Sequence, residues 1–187
     1  MTQSGLAHTS AELLNPREVL TSALEDSILS IFRHYGVDDL SRGVPLSEIP
    51  PEASIGARIQ FANRQISVAL TLFATPQILD ATHPAPPEVG ITSADLRNWA
   101  LELCNQLSGA LRSRLVRFGI HAQPGLPQSA QNHSKRRPNP IDESLHTFIS
   151  QHGQLYIKLA CWADAALKVS ETPEGRQSLA PGQMRLF

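Results

Sequence analysis

Residues 93–118 read SADLRNWALELCNQLSGALRSRLVRF, and their spacing decides the fold. Leu96, Ala100, Leu103, Leu107, Ala110, Leu111 and Leu115 recur three and four residues apart. That is one apolar stripe of an α-helix, and it needs a core beneath it. Thr92 stands at the N-cap position with Asp95 three residues on, and Gly119 stands where a left-handed C-terminal residue belongs. A second stripe runs along another face through Asn98, Glu102, Asn105, Gly109 and Arg112. Residues at these offsets are neighbours on a helix surface. Glu102 and Asn105 are therefore expected side by side, pointing outward, with a glycine one turn further on. A glycine inside a helix costs roughly 0.5–1 kcal/mol relative to alanine. Gly109 either opens a gap through which another molecule approaches Asn105, or lets a second helix of the same chain pack closely.

The chain has 187 residues, a formal net charge of −1 and 41% hydrophobic residues, which fits one domain with tails. The charge lacks the broad basic excess of a nucleic-acid or membrane-surface binder. The start, MTQSGLAHTSAELL, has no basic segment followed by an apolar run, so no signal peptide is expected. No stretch approaches the ~20 apolar residues that span a bilayer. Cys104 and Cys161 lie far apart, which suits a reducing cytoplasm better than a disulfide framework.

Residues 1–14 read as a frayed N-terminus and 15–166 as a single domain, with 167–187 as a C-terminal tail. Asn15-Pro16-Arg17-Glu18 opens a first helix, whose stripe is Leu20, Leu24, Ile28, Ile31 and Tyr35 and whose end is Gly36. After a proline-broken loop, Ile55, Ala57, Ile59 and Phe61 alternate with polar or small residues, and Ile66, Val68, Leu70 and Leu72 repeat the alternation beyond a short polar turn. This predicts a β-hairpin with one buried face. Thr75-Pro76 opens a short helical turn through Leu79, and a stiff proline-rich connector follows at residues 83–87. Beyond the long helix, Ile120 and Ala122 start a brief strand that Pro124 stops. Residues 123–142 have no periodicity and read as a flexible loop, in which Lys135-Arg136-Arg137 is a solvated basic run or a contact for an acidic partner. Leu145, Thr147 and Ile149, a turn at His152-Gly153, then Leu155, Ile157, Leu159 and Cys161 predict a second hairpin. The sum is an α+β fold: a mostly antiparallel sheet with two long helices packed on one face.

Glu102-Leu103-Cys104-Asn105, with Gly109 in NQLSG and then Leu115 and Gly119, resembles the signature helix of the CheC/CheX/FliY phosphatases of bacterial chemotaxis. The match is to the CheX form, ELxNxxxG with a leucine and a glycine further on. The resemblance extends more loosely over residues 15–162 through the order of elements. Relatives with two sites carry a further Glu-x-x-Asn on the first helix. Here Glu25 is followed at the third place by Ile28, and Glu18 by Thr21, so a single site is implied.

The resemblance implies a phosphatase for the aspartyl phosphate of a CheY-like response regulator, in which the regulator supplies Mg²⁺ and this chain binds no cofactor or metal. It implies that Asn105 orients the attacking water and that Glu102 pairs with the regulator's lysine. Asn98, Trp99, Gly109 and Arg112 would line the contact, although Trp99, at the edge between the faces, also reads as a half-buried core residue and Arg112 as a free surface arginine. A homodimer is implied as well, through either sheet face or through its edges by strand pairing across chains. A carboxamide suits the water-orienting role because it donates and accepts hydrogen bonds without changing charge. Two other functions stay open. One keeps the fold without catalysis, as a regulator-binding or dimerisation adaptor. The other rests on Gln183-Met184-Arg185-Leu186-Phe187, similar to the Q-L-x-L-F peptide with which bacterial proteins hold the DNA sliding clamp; Met184 departs from it, while Gln183, Leu186 and Phe187 match. The histidines form no HExxH or other zinc spacing, and no P-loop, Rossmann glycine pattern or nucleophile motif occurs.

Overall fold

The computed structural model describes residues 15–86, 90–130, 140, 142–163 and 169–170. Helix α1 (Pro16–His34) starts where the sequence places it, with the Asn15 side chain accepting from the Arg17 N–H and proline at the first helical position. It stops at Gly36, whose φ of 81° a β-carbon would resist. The two-residue strand β1 (Ser41–Arg42) is followed by the first hairpin, β2 (Ile55–Ala62) and β3 (Ile66–Ala74). Asn63 closes that hairpin: its Oδ1 accepts from the N–H groups of Gln65 and Ile66. The short turn expected after Pro76 continues to Thr82 as α2 (Pro76–Thr82).

Helix α3 (Ser93–Val116) has the expected capping box, in which the Asp95 N–H donates to Thr92 Oγ1 (3.2 Å) and Thr92 N–H returns to Asp95 Oδ2 (2.9 Å). The Thr92 hydroxyl and N–H together hold the Asp95 carboxyl below the usual carboxylate range. Gly119 follows the helix at φ 73°. The chain then forms β4 (Gln123–Pro124), β5 (Gln128–Ala130) and the second hairpin, β6 (Asp142–Ser150) and β7 (Gly153–Ala163). Among the described residues, seven antiparallel strands make one sheet in the order β1-β6-β7-β3-β2-β4, with β5 also paired to β2.

The register sets Ile59, Leu70 and Leu159 in one row beneath the helices. Leu24, Ile28 and Phe32 from α1 and Leu103, Leu107, Leu111 and Leu115 from α3 close over that face, all within one apolar core. The two helices run antiparallel: Tyr35 of α1 meets Gln106 of α3, while Arg114 Nη2 reaches the Asp26 carbonyl.

Three expectations need correction. Residues 123–142 are not a plain loop, because β4 and β5 both pair with β2. These strands bond through their backbones at the sheet edge, and their side chains are mostly exposed, so no apolar alternation marks them. The run Lys135-Arg136-Arg137 lies outside the described residues. Secondly, the sheet does not bury one face alone: Phe73 and Tyr156 on the opposite face form a second cluster with Ala53, flanked by Ile49, Ala130 and Leu145. Loop residues 49–53 and β5 supply that cover, and neither carries a periodic signal. Thirdly, Val169, assigned to the tail, is 1% exposed and belongs to the main core.

Beneath α1, His146 on β6 is only 6% exposed, and its Nε2 lies 2.9 Å from Ser144 Oγ. Glu25 and Arg42 form an ion pair beside it (2.9 Å), as do Arg17 and Asp142 (3.2 Å). Burial holds His146 below its ordinary value of 6.5; Glu25 and Asp142 pull it up, and Arg42 and Arg17 press it down. The unfolded chain therefore takes up a proton near pH 6.5 that the folded chain refuses. Stability should fall as pH drops below about 6.5, by at most about 1.4 kcal/mol per pH unit from this group, until the folded-state pKa is passed. Urea midpoints between pH 5 and 8 should show a shallower slope in His146→Gln than in the parent chain. Parallel slopes would remove His146 as the cause.

Candidate functional site

The outer stripe of α3 exists because its inner stripe is fully used. Ala100, Leu103, Leu107, Leu111 and Leu115 are buried, which turns Asn98, Glu102 and Asn105 into solvent. Glu102 and Asn105, three residues apart, are both exposed, with Cβ atoms about 5–6 Å apart on such a helix. Asn105 makes no hydrogen bond with another described residue, so its amide keeps both donors and its acceptor. A β-carbon built on Gly109 would meet nothing within 4 Å. Among the described residues, close packing of a second helix is therefore not the reason for this glycine. Its gap faces outward.

Glu102 is held from one side. Gln106 Nε2 donates to Glu102 Oε1 at 2.9 Å, and Tyr35 OH donates to Gln106 Oε1 at 3.0 Å. Sequence reading missed Gln106, although its place four residues after Glu102 was a usable signal, and it took Tyr35 only as part of the α1 stripe. The Tyr35 ring packs edge-on against Trp99, centroids 4.9 Å apart at 88°.

Two of the expected contact residues are used inside the fold. Trp99 is 6% exposed, donates from Nε1 to Thr82 Oγ1 (3.0 Å) and packs against Tyr35 and His83. It is a core residue that joins α3 to α2, not a contact surface. Arg112 is neither free nor extended: its Nε donates to the Ala122 carbonyl at 2.8 Å, tying the approach to β4 down on the helix. On α1, Glu25 is paired with Arg42, and no acid–amide pair comparable with Glu102 and Asn105 forms there.

Cys104 faces the core, and burial pushes its thiol up to about 12, so no thiolate is available near neutrality. A cavity of ≈ 580 Å³, lined by residues including Leu46, Ile49, Leu145 and Lys158, lies against the sheet face opposite α3, away from Glu102 and Asn105. No helix among the described residues is long and apolar enough to cross a membrane. Gln183, Leu186 and Phe187 lie outside the described residues.

No family model and no curated protein matches the chain by sequence. Solved structures do match. The crystal structure of chemotaxis protein CheX from Vibrio vulnificus superposes with a TM-score of 0.63 at 16% identity, covering 79% of this chain and 99% of that one. A CheC-like superfamily protein from Shewanella sp. PV-4 gives 0.63 at 18% identity, with the same coverage. The CheX–CheY–beryllofluoride–Mg²⁺ complex from Borrelia burgdorferi gives 0.59 at 9% identity, over 79% of this chain and 98% of that one. The chain thus has the CheC/CheX-like fold of these chemotaxis proteins, as the resemblance of its long helix implied.

Proposed function

We propose that the chain docks α3 on a CheY-like response regulator and stimulates hydrolysis of its aspartyl phosphate. The observation that carries this reading is the joint exposure of Glu102 and Asn105 beside the open Gly109. The regulator would supply Mg²⁺, a lysine and the phosphate-binding groups, so what remains to be added is a placed water. Phosphoryl transfer gains most of its rate from such positioning and from electrostatic stabilisation. Asn105 would hold the water in line with phosphorus, accepting from it or donating to it as the geometry requires. Glu102, a carboxylate beside a dianionic phosphate, is suited instead to pair with the regulator's lysine. The match to a CheX solved in complex with CheY, beryllofluoride and Mg²⁺ supports this partner class.

The test is phosphate release from CheY-like receiver domains of the source organism, phosphorylated with acetyl phosphate in Mg²⁺. Acceleration over intrinsic hydrolysis is expected for at least one of them. Binding without acceleration would leave an adaptor, and neither would leave only the fold.

Gly109→Ala separates docking from stability. Alanine finds open space and should stabilise the helix by about 0.5–1 kcal/mol, read as a higher urea midpoint. The same methyl stands where a docked regulator must come close, so the regulator concentration for half-maximal rate should rise. A variant both more stable and equally active would mean that nothing approaches the helix there.

A further inference from the structure

We propose that Tyr35 and Gln106 are positioning residues that set the Glu102 carboxylate for docking, a role that rests on the phosphatase reading above. The hydrogen bonds admit one arrangement. A carboxylate only accepts, so Gln106 must present its NH₂ group to Glu102 (2.9 Å). That leaves Gln106 Oε1 facing away, where it needs a donor, and the Tyr35 hydroxyl provides it at 3.0 Å. Tyr35 comes from the end of α1, 71 residues earlier in the chain, and its ring is fixed edge-on against the buried Trp99. The order therefore passes from the core through Trp99 and Tyr35 to Gln106 and ends on one oxygen of Glu102. The other oxygen has no partner among the described residues and stays open for a cation. A free glutamate must lose several rotamers when it pairs at an interface, whereas one already held loses fewer.

The physical consequence is specific to donor direction. In Tyr35→Phe the ring contact with Trp99 survives, but the Gln106 oxygen loses its donor, so the side chain is anchored at one end only and can swing away with the carboxylate it holds. Gln106→Glu keeps an acceptor for Tyr35 but removes the donor to Glu102 and sets a like charge four residues away. If Gln106 served only to fasten α1 to α3, this variant would behave as the parent chain does. If it positions Glu102, this variant should be the worst of the set.

The experiment measures stimulated dephosphorylation of an acetyl-phosphate-charged CheY-like receiver by the full chain, with KM and kcat separated. Tyr35→Phe and Gln106→Met should raise KM about three- to tenfold, the scale of ordering one such side chain, and leave kcat within about twofold. Gln106→Glu should raise KM further. In Glu102→Ala, adding Tyr35→Phe should change nothing more, because the tyrosine acts through the glutamate. Parent-like KM in all three single variants, or an equal effect of Tyr35→Phe with and without Glu102, overturns the positioning role and leaves the phosphatase reading in place. A parent chain that accelerates no receiver overturns both.

Discussion

Replacing Asn105 with alanine is expected to lower the stimulated dephosphorylation rate by roughly 10²–10³-fold, the scale of removing one preorganised hydrogen-bonding group from a transition state. The size follows from how little else this chain would contribute. Along the exposed stripe, Asn98 lies a further turn away, Gly109 has no side chain and Arg112 is bound to the Ala122 carbonyl. No neighbour can take over the water. The loss should fall on kcat, because an amide that touches only the attacking water adds little to docking. Glu102→Ala should behave in the opposite sense, raising KM with a smaller change in kcat. Neither substitution should shift the urea midpoint by more than about ±0.5 kcal/mol, since both side chains are exposed. Parent-like rates for both variants, with a receiver that the parent chain does accelerate, would dismiss the mechanism.

How much of this was legible beforehand depends on which physical signal each residue carries. The two long helices, both hairpins and the placement of the helices on one sheet face follow from periodicity and caps, which are local and strong. Asn15, Thr92, Gly36 and Gly119 all do what their types predict. β5 left no trace, because edge pairing with β2 uses backbone groups that every residue has, and the brief strand expected from Ile120 to Pro124 forms only at its end, as β4. The second apolar cluster was hidden for a related reason: Phe73 and Tyr156 look like the polar-side positions of half-buried strands until a non-periodic loop covers them. At the site, the exposure of Glu102 and Asn105 was readable from helical phase alone. The Tyr35–Gln106 link was not, because it joins residues 71 apart and depends on how α1 and α3 pack. Gly109 was ambiguous in sequence for the same reason. A glycine reports that space is used, and only packing reveals on which side.

Trp99 is where phase and packing gave different answers, and Trp99→Ala should cost about 3–5 kcal/mol of folding stability, the range for emptying a large aromatic site. Its position one turn before Glu102 suggested a contact for a partner, yet the indole is 6% exposed and wedged among Tyr35, His83 and Thr82. The hydrogen bond is the smaller part of the loss. Thr82 Oγ1 still donates to the Ile78 carbonyl (2.9 Å) when the indole N–H is gone, so no buried hydroxyl is orphaned. The cavity dominates. Against a total stability of 5–15 kcal/mol typical of such domains, this is a large fraction, and the melting temperature should fall by about 6–20 °C. Trp99→Phe keeps a ring against Tyr35 and should recover much of the difference. The two readings of this residue separate cleanly in one pair of measurements. A docking residue would lose regulator binding at an unchanged melting temperature. A core residue that also backs Tyr35 would lose thermal stability first, and then, at temperatures where the variant is still folded, would show a raised KM because the tyrosine that orders Gln106 has lost its wall.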